Sequence, residues 1–328
     1  MLLYIFLLLL GFLVLFKSAD QFVIGSIASA KNLNISPMVI GLTVVALGTS
    51  APEIFIAAAS SLTGEPELAV GNAIGSNIAN LGMVLGITAL LVPLKFPQET
   101  LRHDLPIVIG VALIAGLVLI DLRLDLYEGI LLVLALGLFI GRTAYTHNRG
   151  DKNQNDAVCL DLDEIDQVPA MPMPKAIFCF ASGLFFLLLS SELLVYSVTQ
   201  IAKLMGISEL LIGLSVIAVG TSLPELVVSV TSALKGQTEL AIGNVMGSNI
   251  FNILAVLSIP SMIAPSSINP DLLSRDYAIM LGMTILVSVF AYSRGHLISK
   301  PKGFILLSIW IGYLVLLYYK ALGENLLQ

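Results

Sequence analysis

Two glutamates lie in the middle of long apolar segments of this 328-residue chain. Glu53 follows the residues GTSAP, Glu225 follows GTSLP, and no Lys or Arg lies in the central part of the surrounding segments. A charged side chain at the centre of a bilayer costs about 3 kcal/mol or more, so such carboxylates usually line an ion path or a binding cavity. The pair therefore predicts a cation site inside a membrane, and protonated packing glutamates are the alternative.

Each glutamate shares a helix face with a threonine four residues earlier, Thr49 in one case and Thr221 in the other. The proline directly before each glutamate cannot donate to the carbonyl four residues back, which is that of Gly48 or Gly220. We therefore expect each helix to kink or unwind here and to free a carbonyl that can bind a cation, because irregular backbone at membrane depth is tolerated where it lines a cavity. A plain proline kink is the alternative.

Polar residues recur every four positions on the segment after each glutamate. They are Asn72, Ser76 and Asn80 in one case and Asn244, Ser248 and Asn252 in the other. Asn80 and Asn252 lie deepest and are predicted ligands, whereas hydrogen bonding between helices is an equal alternative for Asn72, Asn77, Asn244 and Asn249. The predicted site is thus made of oxygen atoms, which suits calcium, and its two carboxylates match the charge of one divalent ion.

The composition places these residues in a lipid bilayer. Hydrophobic residues make up 57% of the chain, charged residues 12%, and the mean hydropathy is +0.96. These values exclude a soluble enzyme and leave nothing to favour nucleic-acid binding. The opening segment lacks a basic start and a small-residue cleavage site, so it is interpreted as the first span. The ten predicted spans are 2–29, 37–63, 67–93, 104–120, 126–147, 174–202, 208–234, 239–264, 276–293 and 302–320.

The chain matches itself when it is shifted by 172 residues. Residues 39–93 align with 211–265 without a gap, with 27 identities in 55 positions. Each half has five spans, and an odd number makes the second copy cross the membrane in the opposite sense. We therefore predict an all-α polytopic membrane protein of ten transmembrane helices, arranged as two inverted repeats of five. The predicted units are 1–147, a linker at 148–173, and 174–328.

Basic residues in the loops predict the orientation. Loops on the side of the amino terminus carry four Lys and Arg residues, and the opposite loops carry eleven. Because basic loops stay in the cytoplasm, both termini should lie outside and the linker inside. The acidic linker segment 161–166 lacks the glycine turn of a calcium-binding loop and is interpreted as solvated. Cys159 and Cys179 form no metal or redox pattern, so we expect free thiols.

The paired motifs GTSAPE with GNAIGSNIAN, and GTSLPE with GNVMGSNIFN, resemble the two repeats of the cation/calcium exchanger superfamily. The chain is most similar to the compact prokaryotic sodium/calcium exchangers over its whole ten-span layout. In that family the first and sixth helices slide across a four-helix core to switch access. The resemblance thus implies a secondary antiporter, not an enzyme, in a prokaryotic inner membrane, with calcium and sodium ions as its partners and no cofactor.

Carried over residue by residue, the resemblance implies a set of ion ligands. The calcium ligands would be Glu53, Glu225, Thr49 and Thr221. Flanking sodium sites would use the carbonyls of Ala46 and Ala218 and the side chains of Ser76 and Ser248, and the central position would be reached by Asn80 and Asn252. Ser50 and Ser222 match the second hydroxyl of the motif. Some members of the family, including potassium-dependent ones, carry Asp at the position of Asn252, so the amide implies a potassium-independent exchanger and leaves the sodium stoichiometry open.

Three other functions remain as alternatives. A calcium/proton antiporter of the same fold would use the buried glutamates as proton carriers. An intramembrane carboxylate protease would use them to activate water, although that chemistry is normally built from two Asp residues. A passive cation channel would need no counter-ion gradient. Asp20 and Glu192 either assist ion entry or are simply charges at helix ends, and the chain is compatible with a monomer.

Overall fold

In a computed structural model of this chain, residues 1–153, 171–205 and 218–326 are described. Their α-helices are α1 (Leu2–Leu33), α2 (Pro37–Ile40), α3 (Ala46–Thr49), α4 (Ala51–Leu62), α5 (Pro66–Ala79), α6 (Leu85–Leu91), α7 (Leu105–Leu119), α8 (Leu126–Asn153), α9 (Met173–Leu204), α10 (Ala218–Gly220), α11 (Leu223–Leu234), α12 (Thr238–Phe251), α13 (Ser258–Ile263), α14 (Ala278–Tyr292) and α15 (Lys300–Leu326).

The described helices account for nine of the ten predicted spans. Eight helical segments are long and apolar enough to cross a membrane, and α2 to α4 form a ninth, broken span with a bend of 42°. The remaining span, predicted at 208–234, is described only from Ala218 onward. The acidic linker segment and Cys159 lie outside the described residues, whereas Cys179 is half-buried and forms no disulfide. Large apolar side chains such as Leu117 and Leu138 are exposed on the outer helices, where lipid would cover them.

Two short antiparallel strand pairs join the halves of the chain, an addition to the all-α prediction. Strand β1 (Leu94–Lys95) pairs with β4 (Leu297–Ile298), and β2 (Arg123–Leu124) pairs with β3 (Ser266–Ser267). Each pair links a loop of the first repeat to a loop of the second that an inverted topology places on the same side of the membrane. The pairing therefore fits the inverted arrangement and closes the bundle at both of its faces.

Five helical turns in the described chain are π-helical, and four of these recur in equivalent places of the two repeats. They are Gly41–Val45, Asn80–Val84, Thr100–Asp104, Asn252–Val256 and Leu272–Tyr277. A π turn widens the helix locally and is often found at functional sites. The turns at Thr100 and Leu272 begin the fourth and ninth spans earlier than predicted, because their polar residues resemble loop residues in the sequence.

Helices α1 and α9 form a closely packed pair along one side of the bundle. A methyl group added at Gly183 of α9 would lie only 2.5 Å from the backbone nitrogen of Phe22 in α1, so the two backbones nearly touch. Asp20, in the middle of α1, forms an ion pair with Lys235 at the end of α11, with 2.6 Å between Oδ1 and Nζ. Asp20 thus links α1 to the rest of the bundle, and it is not a charge at a helix end.

Among the spans in the described part of the chain, the one that contains α12 is the most enclosed. It packs against α2 and the following π turn through two glycines: methyl groups added at Gly243 and Gly247 would each lie 2.6 Å from a backbone oxygen, that of Met38 and of Leu42 respectively. The two helices therefore pack closely through small residues at this interface. It brings the polar stripe of α12 against the broken span that carries Glu53.

Candidate cation-binding site

A break in each broken span positions the two glutamates. Helix α3 ends at Thr49 and α4 begins at Ala51, with Ser50 between them at φ −82° and ψ 8°. The second repeat has the same break at Ser222, with φ −90° and ψ 7°. Each glutamate is the third residue of the helix after the break, where backbone N–H groups and the helix dipole favour an anion. The kink predicted from the prolines is confirmed.

The two carboxylates lie together in the interior. Glu53 is 1% exposed and Glu225 is fully buried, and Ser50, three residues before Glu53, reaches the carboxylate of Glu225. Within the described chain, neither forms an ion pair with Lys or Arg, and neither oxygen of Glu53 accepts a hydrogen bond. Glu225 Oε1 accepts a hydrogen bond from Ser50 Oγ at 3.3 Å, whereas its Oε2 has no donor among these residues. Several carboxylate oxygens are therefore free to bind a cation.

The predicted hydroxyls surround these carboxylates, although not all of them make contacts. Thr49 Oγ1 lies 3.3 Å from Ser248 Oγ and is also close to Glu225. Ser76 faces Glu53 from α5. Ser222 Oγ is fully buried and has no partner in the described part of the chain, and Thr221 is half-buried beside it. Oxygen atoms from both repeats thus converge on one place.

The predicted carbonyl ligands differ between the repeats. The carbonyl of Ala46, which is buried, accepts hydrogen bonds from the Ser50 amide at 2.9 Å and from Thr49 Oγ1 at 3.3 Å, so it is not freed by the break. Ala218 begins α10. The carbonyl of Gly220, expected to be free, accepts from Ser191 Oγ of α9 at 3.2 Å. A cation would therefore share or displace these hydrogen bonds at the breaks.

Three asparagines form hydrogen bonds where the equivalent helices of the two repeats cross. Asn77 Nδ2 donates to the Asn249 carbonyl at 3.3 Å, and Asn80 Nδ2 donates to Asn249 Oδ1 at 3.2 Å. Asn77 and Asn249 therefore form hydrogen bonds between helices, which is one of the two roles that the sequence leaves open for them. The oxygen of Asn80 and both amide atoms of Asn252 are buried without a partner in the described chain. Asn80 and Asn252 also begin the two equivalent π turns, so each helix is widened next to the site.

Buried polar atoms without partners are costly, since burial removes their hydrogen bonds to water. Here most of them are oxygens of one cluster, and a cation bound among them would be their common partner. Among the described residues, no three His, Cys, Asp or Glu side chains come together. An ion in this cluster would therefore take two carboxylates and several neutral oxygens, the ligands of calcium or sodium rather than of a soft transition metal.

Two hydrogen bonds near the site are not predicted from the sequence, although the sequence carries a signal for both. Asn244 Nδ2 donates to Ser229 Oγ at 3.0 Å, and Ser191 donates to Gly220 as described. With the shift of 172 residues, Ser229 aligns with Ala57 and Ser191 aligns with Ala19. A comparison of the repeats for serines that occur in one copy alone would have singled out both.

A membrane bundle with two internally related halves and a buried carboxylate pair between broken helices defines a secondary cation transporter. The sodium/calcium exchanger protein family matches residues 3–144 and 175–319, which is most of the chain. The protein therefore belongs to the sodium/calcium exchanger family. The family consists of transporters, so the protease alternative is rejected.

Known proteins resemble this chain over nearly their whole length. CaxA of Alkalimonas amylolytica, provisionally named an antiporter, is 43% identical over 94% of this chain and 97% of its own. The inner membrane protein YrbG of Escherichia coli K12 is 35% identical over 95% of this chain and 96% of its own. The structure of the sodium-calcium exchanger NCX_Mj soaked with sodium and calcium superposes with a TM-score of 0.80, at 32% identity over 94% of this chain and 96% of that one.

Proposed function

We propose that this protein exchanges sodium for calcium across the membrane by alternating access, without a need for potassium. The observation that carries the proposal is the buried pair of Glu53 and Glu225, whose free oxygens face a cluster of hydroxyls and amides from both repeats. Two anions held together in a low-dielectric interior repel each other strongly unless a cation is present. Movement of the empty site across the membrane is therefore disfavoured, and this penalty makes the exchange obligatory.

The same cluster supports the predicted assignment of ligands. Calcium would bind between Glu53, Glu225, Thr49 and Thr221, because two carboxylates neutralise one divalent ion. Sodium ions would bind on either side through the Ala46 and Ala218 carbonyls and the side chains of Ser76 and Ser248, and Asn80 and Asn252 would reach the central position. Ser50 and Ser222, at the breaks, would complete these positions. NCX_Mj, which shares the fold, has been studied with sodium, calcium and strontium ions.

Proton-coupled calcium transport is the second candidate. It is favoured by the absence of any donor to the Glu53 carboxylate within the described chain, because protons could neutralise the empty pair as well as sodium ions. Both candidates use the same site and differ in the counter-ion alone. A passive channel is less suited, because the inverted repeats provide two equivalent ways to close the site.

We further propose that the protein resides in a prokaryotic inner membrane, as the relative YrbG does by its name. The excess of basic residues would hold the linker 148–173 in the cytoplasm and place both termini outside. The units 1–147 and 174–328 would then be the two inverted repeats, acting together in a single monomer.

A matrix of gradients in proteoliposomes tests the counter-ion. Vesicles loaded with sodium or potassium are diluted into buffer that contains radiolabelled calcium and lacks the loaded ion, and vesicles with an acidic interior are diluted into calcium buffer of higher pH. We expect calcium uptake from the sodium-loaded vesicles, at a rate that added potassium does not change. Uptake driven by a pH gradient alone would establish the proton antiporter instead, and uptake without any gradient of a counter-ion would indicate a channel.

A further inference from the structure

Asn244 contacts the cation site without belonging to the predicted ligands. Its side chain is fully buried, and its amide oxygen accepts a hydrogen bond from Thr49 Oγ1 at 3.1 Å. Its amide nitrogen donates to the backbone carbonyl of Glu225 at 3.3 Å and to Ser229 Oγ at 3.0 Å. Asn244 on α12 therefore connects the two glutamate-bearing breaks.

The orientation of this amide follows from its partners. A backbone carbonyl can only accept a hydrogen bond, so the group of Asn244 that faces the Glu225 carbonyl must be its NH2 group. The other end of the amide, which faces Thr49, is then an oxygen. An amide oxygen can only accept, so the proton between these two groups comes from the Thr49 hydroxyl, for which the Ala46 carbonyl at 3.3 Å is the more distant acceptor.

These hydrogen bonds determine whether the lone pairs of Thr49 Oγ1 can bind a cation. A hydroxyl binds a cation through its lone pairs, and a proton that points at the cation opposes binding. Asn244 is the nearer of the two acceptors, and with the Thr49 proton directed to it the Ser248 hydroxyl, 3.3 Å away, donates to one lone pair of Thr49 and leaves the other for the site. A flipped amide would instead donate to Thr49, occupy a lone pair and turn the hydroxyl proton elsewhere.

The first repeat lacks this arrangement. Asn72 is the equivalent of Asn244, and its amide nitrogen has no partner among the described residues. The residue equivalent to Ser229 is Ala57, which is fully buried and has no hydroxyl. The anchored amide is therefore a property of one repeat, and its absence from the other provides a matched comparison within the same chain.

We propose that Asn244 is a positioning residue, held by Ser229 and the Glu225 carbonyl, that orients the Thr49 hydroxyl so that its remaining lone pair binds the transported cation. The inference rests on the proposed cation exchange at this site and assigns the residue that prepares one of its ligands. It makes the two halves of a pseudo-symmetric site unequal in their affinity for cations.

A double-mutant cycle tests this role, with the half-saturating calcium concentration of uptake as its readout. Asn244→Ala should weaken calcium affinity by about tenfold, because the ion would lose one oriented polar contact, that with Thr49. In a Thr49→Val background the same change should cost less than about twofold, because no hydroxyl remains to be oriented. Ser229→Ala keeps the Glu225 carbonyl as an acceptor and should cost about two- to threefold.

Equal losses in both backgrounds would overturn the proposal, because Asn244 would then act independently of Thr49. If Asn244→Ala does not yield folded protein, Ser229→Ala is tested in the same two backgrounds with the same criterion. Asn72→Ala is the matched control and should leave calcium affinity within about twofold of the parent; a tenfold loss would contradict the inequality of the halves. A parent protein that binds no calcium would refute the proposed function itself, a result distinct from additivity.

Discussion

The packing of α12 against the broken span gives a quantitative prediction. A methyl group added at Gly247 would lie 2.6 Å from the Leu42 carbonyl oxygen and 2.6 Å from the Ala46 Cβ, whereas ordinary contacts begin at 3.4 Å. In Gly247→Ala, α12 must therefore withdraw by about 0.8 Å, since backbone cannot rotate away as a side chain can. Overpacking of this kind costs about 1–3 kcal/mol of stability.

The same displacement would act on the site. The residue after Gly247 is Ser248, whose hydroxyl lies 3.3 Å from Thr49 Oγ1. A withdrawal of about 0.8 Å breaks this hydrogen bond, because contacts beyond about 3.5 Å contribute little. We therefore expect Gly247→Ala to unfold at a lower temperature in detergent and to need a several-fold higher calcium concentration for half-maximal uptake.

Gly282 in α14 provides the control. It is exposed, and a methyl group added there meets no atom within 4 Å in the described chain. Gly282→Ala should keep the parent calcium affinity and be as stable or more stable, because alanine is the better helix former by about 1 kcal/mol. A Gly247→Ala protein with the parent's stability and affinity would refute the packing of α12 described above.

Two further predictions concern the α1–α9 pair. Asp20→Asn and Lys235→Ala should each loosen α1 from α11, and the second change should cost little once the first has been made. Because both side chains are partly exposed, a double-mutant cycle of thermal stability should give a favourable coupling of about 0.2–1 kcal/mol, and a coupling of zero would contradict the ion pair. Ser191→Ala removes the donor to the Gly220 carbonyl and should cost about 1 kcal/mol of stability. The control is Ser197→Ala, because the Ser197 hydroxyl donates within the same helix to the Leu193 carbonyl. Equal stability of the Ser191 variant and the parent would contradict the hydrogen bond to Gly220.

Local chemistry made much of the fold predictable from the sequence. The bilayer demands apolar segments of a set length, so the spans emerge from hydropathy. Proline removes one backbone donor at a fixed distance, so the breaks at Ser50 and Ser222 follow from the motif. The sequence predicts the starts of the fourth and ninth spans four residues too late, because Arg102 and Arg275 lie in π turns that no local rule distinguishes from loops.

The site was predictable in composition but not in geometry. The glutamates, hydroxyls and amides of the motifs do converge, since both repeats bring the same residues to one place. Which of these oxygens have donors depends on side chains from distant segments, as with Ser191 and the Gly220 carbonyl. The orientation of the Asn244 amide likewise depends on three partners at once, which spacing along the chain cannot reveal.

The central claim is that Glu53 and Glu225 together hold the transported calcium. Radiolabelled calcium uptake into sodium-loaded proteoliposomes, compared among the parent, Glu53→Gln and Glu225→Gln, tests it most directly. Glutamine keeps the size of each side chain and removes one charge, so each variant leaves a divalent ion with a single carboxylate. We expect sodium-dependent uptake in the parent and its loss in both folded variants. Uptake that persists in either variant at the parent's rate would contradict the account.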